Sequence, residues 1–272
     1  MVPLPKLIKS NKVKALLLAA GKGTRLETLT EEWPKCLMPI GSRPLLEYWL
    51  ATCFSAGVSP VMVNLHHHAD IVADFLQRPC FRNWVIPVRE EFLLGTAGTL
   101  YEHRKFFHGQ TTLLAHSDNW CQCAFDDFLD FHFNHRPAHC LITMMTFDTS
   151  APKSCGIVDL DHQGVVVGFH EKAPNPPGIR ANGAVYLLDP AFLEWLESKP
   201  YISDFSTEVI PAFIGNIATW HNAGIHKDIG VPKMLIRAQD DPRPHPIWPQ
   251  EDPWNRTFQT NPIHEQIQVI RA

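Results

Sequence analysis

The sequence predicts an α/β fold in which a mixed, mainly parallel sheet is flanked by helices. Short apolar runs at 13–20, 61–65 and 111–115 have the length of strands that are buried on both faces. Between these runs, residues 45–54 and 69–76 repeat apolar side chains at the helical period. Strands that alternate with helices in this way form βαβ units, whose strands lie parallel.

The first half, residues 11–135, supplies the parallel part of the predicted sheet. The helix at 45–54 leaves Glu47 and Tyr48 off its apolar face, where we expect solvent. A further strand is predicted at Val85–Arg89, and the turn at 95–99 opens a helix.

The second half, residues 136–238, changes character, and mixed strand directions are expected there. Its predicted strands are 140–147, 156–160, 165–170, 184–188 and 217–221. Helices are predicted at 204–213, capped by Asp204 or Ser206, and at 233–238. We expect residues 1–238 to form one domain. Residues 239–272 are rich in proline and tryptophan and predict a tail on the surface, an oligomer arm or a disordered segment.

Composition excludes some classes of function. The formal net charge of −4 argues against a nucleic-acid-binding protein, whose surface would be basic. The seven cysteines contain no C-x-x-C pair and are expected to be small core residues. We find no signal peptide and no apolar run near twenty residues, so a cytoplasmic protein without a membrane partner is expected. A homo-oligomer is left open.

The segment after the first strand has the composition of a phosphate-binding loop. Gly21 and Gly23 allow the backbone to turn tightly and to point N–H groups at phosphate oxygens. Arg25 and, after a second string, Lys35 supply the positive charge that a polyphosphate needs. The loop is not a Walker A motif, which needs a second G-K-[ST] half, nor a dinucleotide motif, which needs glycine where Leu26 stands.

The complete pattern, G-x-G-T-R-L followed by P-K, resembles the signature of the sugar-1-phosphate nucleotidylyltransferases, and within them the mannose-1-phosphate and heptose-1-phosphate guanylyltransferases. This resemblance implies a Rossmann-like sheet of the nucleotide-diphospho-sugar transferase, or glycosyltransferase-A-like, fold. It also implies nucleotidyl transfer, in which a sugar-phosphate oxygen attacks the α-phosphorus of a nucleoside triphosphate and pyrophosphate leaves. Positioning and charge neutralisation supply most of the acceleration in such reactions.

The resemblance assigns the triphosphate to the loop. Arg25 would hold the leaving phosphates, and Lys35 would lie between the α-phosphate and the incoming sugar phosphate. With Asp118 they are the predicted catalytic residues. The other nucleotide-binding residues that it implies in or beside the loop are Leu18, Ala19, Ala20, Gly21, Gly23 and Thr24.

Two aspartates are expected to bind the cofactor Mg²⁺. Asp118 follows the strand predicted at 111–115, where relatives place a metal-binding aspartate, and Asp228 resembles the family's second one. Mg²⁺ is typically held by one or two carboxylates together with substrate phosphates.

The resemblance places the sugar against the second half. Glu171 and Lys172 match the family's Glu-Lys pair, in which the glutamate contacts sugar hydroxyls and the lysine holds the sugar phosphate. Asn182 could bond a further sugar hydroxyl.

The base is expected near Glu90, Gly95 and Thr96. Gly95 would bring backbone N–H groups close to the base. A carboxylate at Glu90 accepts from the two adjacent donors of guanine, so GTP is favoured over UTP or dTTP. Glu91 is an alternative base-binding residue.

The sequence therefore predicts an enzyme that joins a nucleoside monophosphate, most simply from GTP, to a sugar 1-phosphate of the mannose or manno-heptose type. The alternatives are a UTP- or dTTP-dependent glucose-1-phosphate enzyme, a nucleotidylyltransferase for phosphocholine or another non-sugar acceptor, and a non-catalytic protein that binds nucleotide sugars. The last would be expected to lack Arg25, Lys35 or a metal aspartate, and all are present.

Overall fold

A nine-stranded sheet is the centre of the protein, as seen in a computed structural model that describes residues 13–271. Residues 1–12 of the predicted domain and residue 272 lie outside the described range. The strands within this range are β1 (Val13–Leu18), β2 (Pro39–Ile40), β3 (Arg43–Pro44), β4 (Val61–Leu65), β5 (Val85–Arg89), β6 (Thr111–His116), β7 (Asn119–Gln122), β8 (Ile142–Asp148), β9 (Gly156–Leu160), β10 (Val166–Glu171), β11 (Arg180–Leu188), β12 (Ile217–His221) and β13 (Ile225–Asp228). The α-helices are α1 (Leu45–Ser55), α2 (Ala69–Leu76), α3 (Thr96–Glu102), α4 (Arg104–Phe107), α5 (Phe125–Asp130), α6 (Pro190–Glu197), α7 (Ile210–Ala212), α8 (Pro232–Gln239), α9 (Pro253–Gln259) and α10 (Ile263–Arg271).

The sheet has a parallel half and a mixed half, which confirms the predicted fold class. Strands β5, β4, β1 and β6 are neighbours in that order and run parallel. Strand β11 is antiparallel to β6 and also pairs with β8 and β9, and β12 runs parallel to β8. The change of direction falls between β6 and β11.

Both faces of the parallel half are covered, which explains why β1 is apolar at every position except Lys14, whose ammonium donates to the Phe106 carbonyl. Ala15 and Leu17 pack in a core with α1 and α2. Leu16 and Leu18 point to the opposite face and pack in a second core with α3 and α6. Side chains alternate between the faces of a strand, so a strand between two helix layers is apolar at nearly every position.

A third, smaller core lies behind the loop that is predicted to bind phosphate. Leu26 and Leu29 of the loop pack there with Ile229, which follows β13. Ile263 and Ile267 of α10 close this core.

Part of the C-terminal segment packs on the domain. Trp248 is 2% exposed and belongs to the core beneath α1 and α2. The expectation that Glu47 and Tyr48 face solvent is wrong, since they are 0% and 5% exposed. The residues that cover this side of α1 include Gln250, which donates a hydrogen bond to Glu47.

Two further differences concern regions near the cleft. Sequence reasoning did not identify the two-stranded ribbon of β7 and β13. The helix predicted at 204–213 is a π-helical turn, Phe205–Val209, followed by α7, and Asp204 caps it by accepting from the Thr207 N–H. Among residues 13–271 no helix has both the length and the apolar character needed to span a bilayer.

Candidate active site

The ends of β6 and β13 bring the two predicted metal aspartates together. Asp118 lies in the turn between β6 and β7, and Asp228 is the last residue of β13. In the antiparallel ribbon Asn119 is paired with Asp228, so the two acidic residues lie at the same end of it. The ribbon is held to the domain by Trp49, whose indole N–H donates to the Asn119 carbonyl over 2.9 Å.

Lys35 lies between the two carboxylates. Its Nζ donates to Asp118 Oδ2 at 2.8 Å and to Asp228 Oδ1 at 3.1 Å, and the residue is only 4% exposed. Burial alone would lower the pKa of Lys35, but the charges of Asp118 and Asp228 outweigh it and raise this pKa above its usual value. Lys35 is therefore a cation throughout the neutral pH range.

Asp228 is fixed by two cations. Arg25 donates from Nη2 to Asp228 Oδ2 at 2.9 Å, and its side chain is 63% exposed. Burial acts to raise the pKa of Asp228, but Lys35 and Arg25 together lower it to about 2. Asp228 is ionised at neutral pH and can act as a metal ligand.

The loop that is predicted to bind phosphate is anchored from both sides. Gly23 has φ +66°, and a Cβ there would lie 3.0 Å from Lys35 Cβ, so this position requires glycine. The Asn64 side-chain oxygen accepts from the Ala19 N–H at 2.7 Å, and the Ser117 hydroxyl donates to the Leu18 carbonyl at 2.9 Å. Ser117 thus ties the loop to the turn that carries Asp118.

Glu90 lies behind the loop and takes part in a buried network. It is 7% exposed, and its Oε1 accepts from Asn64 Nδ2 at 2.8 Å and from the Thr99 hydroxyl at 2.5 Å. Its Oε2 accepts from the Leu94 N–H at 3.3 Å. Through Asn64, Glu90 is one hydrogen-bonded residue away from Ala19.

Gly95 has a packing role in addition to any contact with a base. Its φ is +86°, and a Cβ would lie 2.3 Å from the Ser203 carbonyl oxygen. That oxygen accepts from the Ala97 and Gly98 N–H groups at the start of α3. The glycine therefore lets 203–204 cap the helix that begins at Thr96.

The predicted sugar residues lie on the other side of the same cleft, which has a volume of about 870 Å³. Glu171 ends β10, and Lys172 follows it with an Nζ–Oε1 distance of 3.3 Å between the two side chains. Asn182 lies on β11, where its Nδ2 donates to the Tyr186 hydroxyl at 2.7 Å.

The structure brings together eight of the residues predicted from the sequence. Those that line the cleft are Arg25, Lys35, Thr96, Asp118, Glu171, Lys172, Asn182 and Asp228. The others border the loop or lie behind it and do not line this cleft; they are Leu18, Ala19, Ala20, Gly21, Gly23, Thr24, Glu90 and Gly95.

Several lining residues were not identified from the sequence. They are His116, Asn119, Phe147, Ser154, Cys155, Gly156, Ala184, Asp204, Ser206, Thr207 and His226. The His226 ring stacks on Phe147 at 4.2 Å, and its Nε2 bonds the Gly183 carbonyl at 2.8 Å. Burial lowers the pKa of His226 to about 4, so it is neutral at pH 7. One signal could have found it, because His226 and Asp228 are two residues apart on a strand and so share a face.

Asp118 and Asp228 are the metal ligands that the sequence predicts in this cleft. Within 13–271 no group of three or more His, Cys, Asp or Glu side chains is arranged to hold a metal ion. A site of two carboxylates that shares a cation with substrate phosphates fits Mg²⁺ better than zinc, which takes four protein ligands in structural sites and three in catalytic ones.

The chain is similar to characterised nucleotidyl-transferring proteins. It is 26% identical over 237 residues to a mannose-1-phosphate guanylyltransferase of Mycobacterium tuberculosis, covering 85% of this chain and 65% of that protein. It is 28% identical over 238 residues to the catalytic subunit beta of the same kind of enzyme from Drosophila pseudoobscura pseudoobscura, covering 85% and 63%. The chain thus spans just under two thirds of the length of these relatives.

A solved structure shows the same fold. It is a Bacillus anthracis protein described as a glucose-1-phosphate thymidylyltransferase in complex with a sucrose, with a TM-score of 0.75 and 18% identity. The match covers 86% of this chain and 98% of that one. The profile of the nucleotidyl transferase family matches residues 14–243, most of the chain, and the protein therefore belongs to the nucleotidyl transferase family.

Proposed function

We propose that the protein transfers GMP from GTP to a sugar 1-phosphate of the mannose or manno-heptose type, forming a nucleotide sugar and releasing pyrophosphate. One observation carries this proposal: the buried Lys35 ammonium bonds both Asp118 and Asp228 beside a phosphate-binding loop. Similarity to mannose-1-phosphate guanylyltransferases supports the choice of substrates.

Asp118 and Asp228 would hold Mg²⁺. The donor set is two carboxylates, and Asp228 is ionised because its pKa is about 2. Bound there, Mg²⁺ would neutralise charge on the triphosphate oxygens.

The cations of the chain have separate tasks. Arg25 is 63% exposed at the mouth of the cleft, and it would bind the leaving phosphates. Lys35 is rigidly held by its two carboxylates, so its charge is already in place before a substrate arrives. Preorganised charge of this kind stabilises the transition state of phosphoryl transfer without a reorganisation cost.

The sugar phosphate would enter from the side of Lys172. Glu171 and Lys172 lie at the end of β10 and line the same cleft as Lys35. This arrangement would direct a sugar-phosphate oxygen towards the α-phosphorus, opposite the leaving group held by Arg25. Orientation of the two substrates is the main contribution expected of such a site.

One observation favours an alternative base. Both carboxylate oxygens of Glu90 accept hydrogen bonds from the protein itself, from Asn64, Thr99 and Leu94. A glutamate that is engaged in this way has less capacity to bond guanine. The second candidate is therefore transfer from UTP or dTTP to glucose 1-phosphate.

A substrate panel tests the proposal. The purified protein is incubated with Mg²⁺ and each pair drawn from GTP, UTP, dTTP, ATP and CTP and from mannose, manno-heptose and glucose 1-phosphates, and pyrophosphate release is measured. We expect the highest kcat/KM with GTP and a manno-configured sugar. Highest activity with UTP or dTTP would favour the second candidate function over transfer from GTP. No release of pyrophosphate with any pair would overturn the proposal that the protein is an enzyme.

A further inference from the structure

Two residues that line the cleft have left-handed backbone conformations although neither is glycine. Lys172 has φ +46° and Ala184 has φ +53°. A residue with a Cβ rarely adopts this conformation, and where the surrounding structure enforces it, the position is often functional. Lys172 already has a proposed role at the sugar phosphate, whereas Ala184 has none.

The glycine beside Ala184 does not relieve this strain. Gly183 is not among the residues with positive φ. A Cβ on Gly183 would lie 3.0 Å from the Met145 carbonyl oxygen and 3.2 Å from His226 Nε2. Glycine is needed at 183 for close packing, and the left-handed conformation falls on the residue that carries a methyl group.

Hydrogen bonds around Ala184 hold it in place. The Ala184 N–H donates to Asn182 Oδ1 at 2.9 Å, and Asn182 Nδ2 donates to the Tyr186 hydroxyl at 2.7 Å. The pairing of β11 with β8 shifts register between Asn182 and Tyr186. An irregularity of this kind redirects side chains, and here it holds Ala184 in the lining of the cleft.

These contacts change what this wall of the cleft offers to a ligand. The amide of Asn182 is engaged on both of its polar atoms by the chain itself. Tyr186 is 1% exposed, so its hydroxyl is directed to the interior. Ala184 lines the cleft beside Asn182 and also packs in part against the core that contains Leu16 and Tyr186. Its side chain is a methyl group, which can exclude volume but cannot form a hydrogen bond.

We propose that Ala184 is a specificity-determining residue whose methyl group sets the size limit of the sugar pocket. Sugar 1-phosphates are excluded when the substituent that faces β11 is larger than a hydroxyl. This inference rests on the proposed function. A single methyl group in a pocket changes discrimination by about 10–200-fold.

The test compares the unmodified protein with Ala184→Gly and Ala184→Ser. The substrates are the best hexose 1-phosphate and four derivatives, in which the 2-, 3-, 4- or 6-hydroxyl carries an O-methyl group. For Ala184→Gly we expect kcat/KM for at least one derivative to rise about tenfold or more relative to the parent sugar. The KM of Ala184→Gly for the nucleotide should be unchanged. Ala184→Ser should not increase kcat/KM for any of the derivatives.

Ala181→Gly is the matched control, because Ala181 lies on the same strand but is completely buried and does not line the cleft. It should lower Tm and leave the order of sugar preference unchanged. Ala184→Gly should not lower Tm, because glycine relieves the left-handed conformation. An equal loss of Tm in both variants would contradict the strain assigned to position 184, from which the inference starts.

The outcomes separate the two proposals. If the unmodified protein turns over the parent sugar but Ala184→Gly has the same preference among derivatives, the inference about Ala184 is wrong and the proposed function stands. If the unmodified protein turns over no sugar 1-phosphate, the proposed function fails and the inference fails with it.

Discussion

The guanidinium of Arg78 donates to the carboxylate of Glu47 over 2.6 Å in the interior of the protein, where the two side chains are 1% and 0% exposed. Arg78 also donates from Nε to Asp252 at 2.8 Å. Glu47 belongs to α1 and Arg78 follows α2, whereas Asp252 caps α9. The C-terminal segment is thus joined to α1 and to the end of α2 by a buried ionic cluster.

Glu47→Gln should destabilise the fold strongly. The variant leaves the Arg78 charge buried with one carboxylate instead of two, and removing one partner of a buried pair costs about 3–5 kcal/mol. Urea denaturation would measure the free energy of unfolding. The control is Asp70→Asn, which breaks the exposed pair of Asp70 and Arg89 and should cost about 0–1 kcal/mol. Similar small losses in both variants would contradict the role given to the cluster.

Trp248→Ala should show that residues 239–272 belong to the folded domain. Trp248 packs edge-on against Phe54 and Phe81, and truncation of a buried aromatic side chain costs about 3–5 kcal/mol. Trp248→Phe keeps most of the volume and should cost distinctly less. Thermal and urea denaturation of the two variants would check this, and no loss in either would mean that the segment is not packed in solution.

Asp118→Asn should lower turnover by about 10²–10³-fold and leave the fold intact. The substitution removes a proposed metal ligand and one carboxylate of Lys35, and loss of such a preorganised group costs about 10²–10³-fold in kcat. Pyrophosphate release gives the rate, circular dichroism reports the fold, and calorimetric titration with Mg²⁺ and GTP reports metal binding independently of turnover. Asp159→Asn, at a half-buried residue paired with His170, is the control. Near-normal activity of Asp118→Asn would remove Asp118 from the site.

Glu90→Gln should lower kcat/KM for GTP relative to kcat/KM for UTP. Loss of a hydrogen bond to a charged group is worth about 1.5–3 kcal/mol, which corresponds to a ratio of kcat/KM values shifted about 10–150-fold. Glu91→Gln is the matched control, because Glu91 is the exposed neighbour and the alternative base-binding residue. A shift in Glu91→Gln alone would reassign the contact to Glu91. If Glu90→Gln instead lowers kcat/KM equally for both nucleotides, Glu90 acts by holding the loop in place through Asn64.

His132 should make the fold less stable in mild acid. Burial and, to a lesser extent, Arg136 lower the pKa of His132 to about 4, so the folded state keeps this ring neutral while the unfolded chain protonates near pH 6.5. The contribution of His132 to the free energy of unfolding is therefore fully present above pH 6.5. It falls by about 1.4 kcal/mol per pH unit as the pH decreases from 6.5 towards 4. Denaturation of the unmodified protein and of His132→Gln across pH 4–8 would measure the difference in slope. Equal slopes would contradict the prediction.

The parallel strands and the loop could be predicted from sequence because their signals are local. Val61–Leu65 and Val85–Arg89 are apolar runs bounded by polar turns, and the structure gives strands with these bounds. Position 23 requires glycine because its φ is +66° and because it lies close to Lys35. A glycine in the sequence can indicate such a tight turn directly. Information of this kind is contained in a few adjacent residues.

The ribbon and the C-terminal segment were missed because their stabilising contacts are distant in the chain. Residues 119–122 and 225–228 mix polar and apolar side chains and become strands only by pairing with each other. Glu47 was expected in solvent because it falls on the polar side of the helical repeat. Its side chain is instead buried by hydrogen-bond partners far along the chain, at Arg78 and Gln250. The grouping of eight predicted residues around one cleft followed from the strand ends, whereas Ala184 required the three-dimensional structure.

The pairing of Asn119 with Asp228 in the ribbon fixes how far the carboxylate of Asp118 lies from that of Asp228. Side chains of a strand alternate between faces, so one residue inserted into either strand of the ribbon would turn a carboxylate away from its partner. The nine-stranded sheet would not be disturbed by such an insertion, since the ribbon is a separate sheet. A change in chain length at 119–122 or 225–228 is therefore a way in which a descendant of this protein could keep its fold and lose its chemistry in a single step.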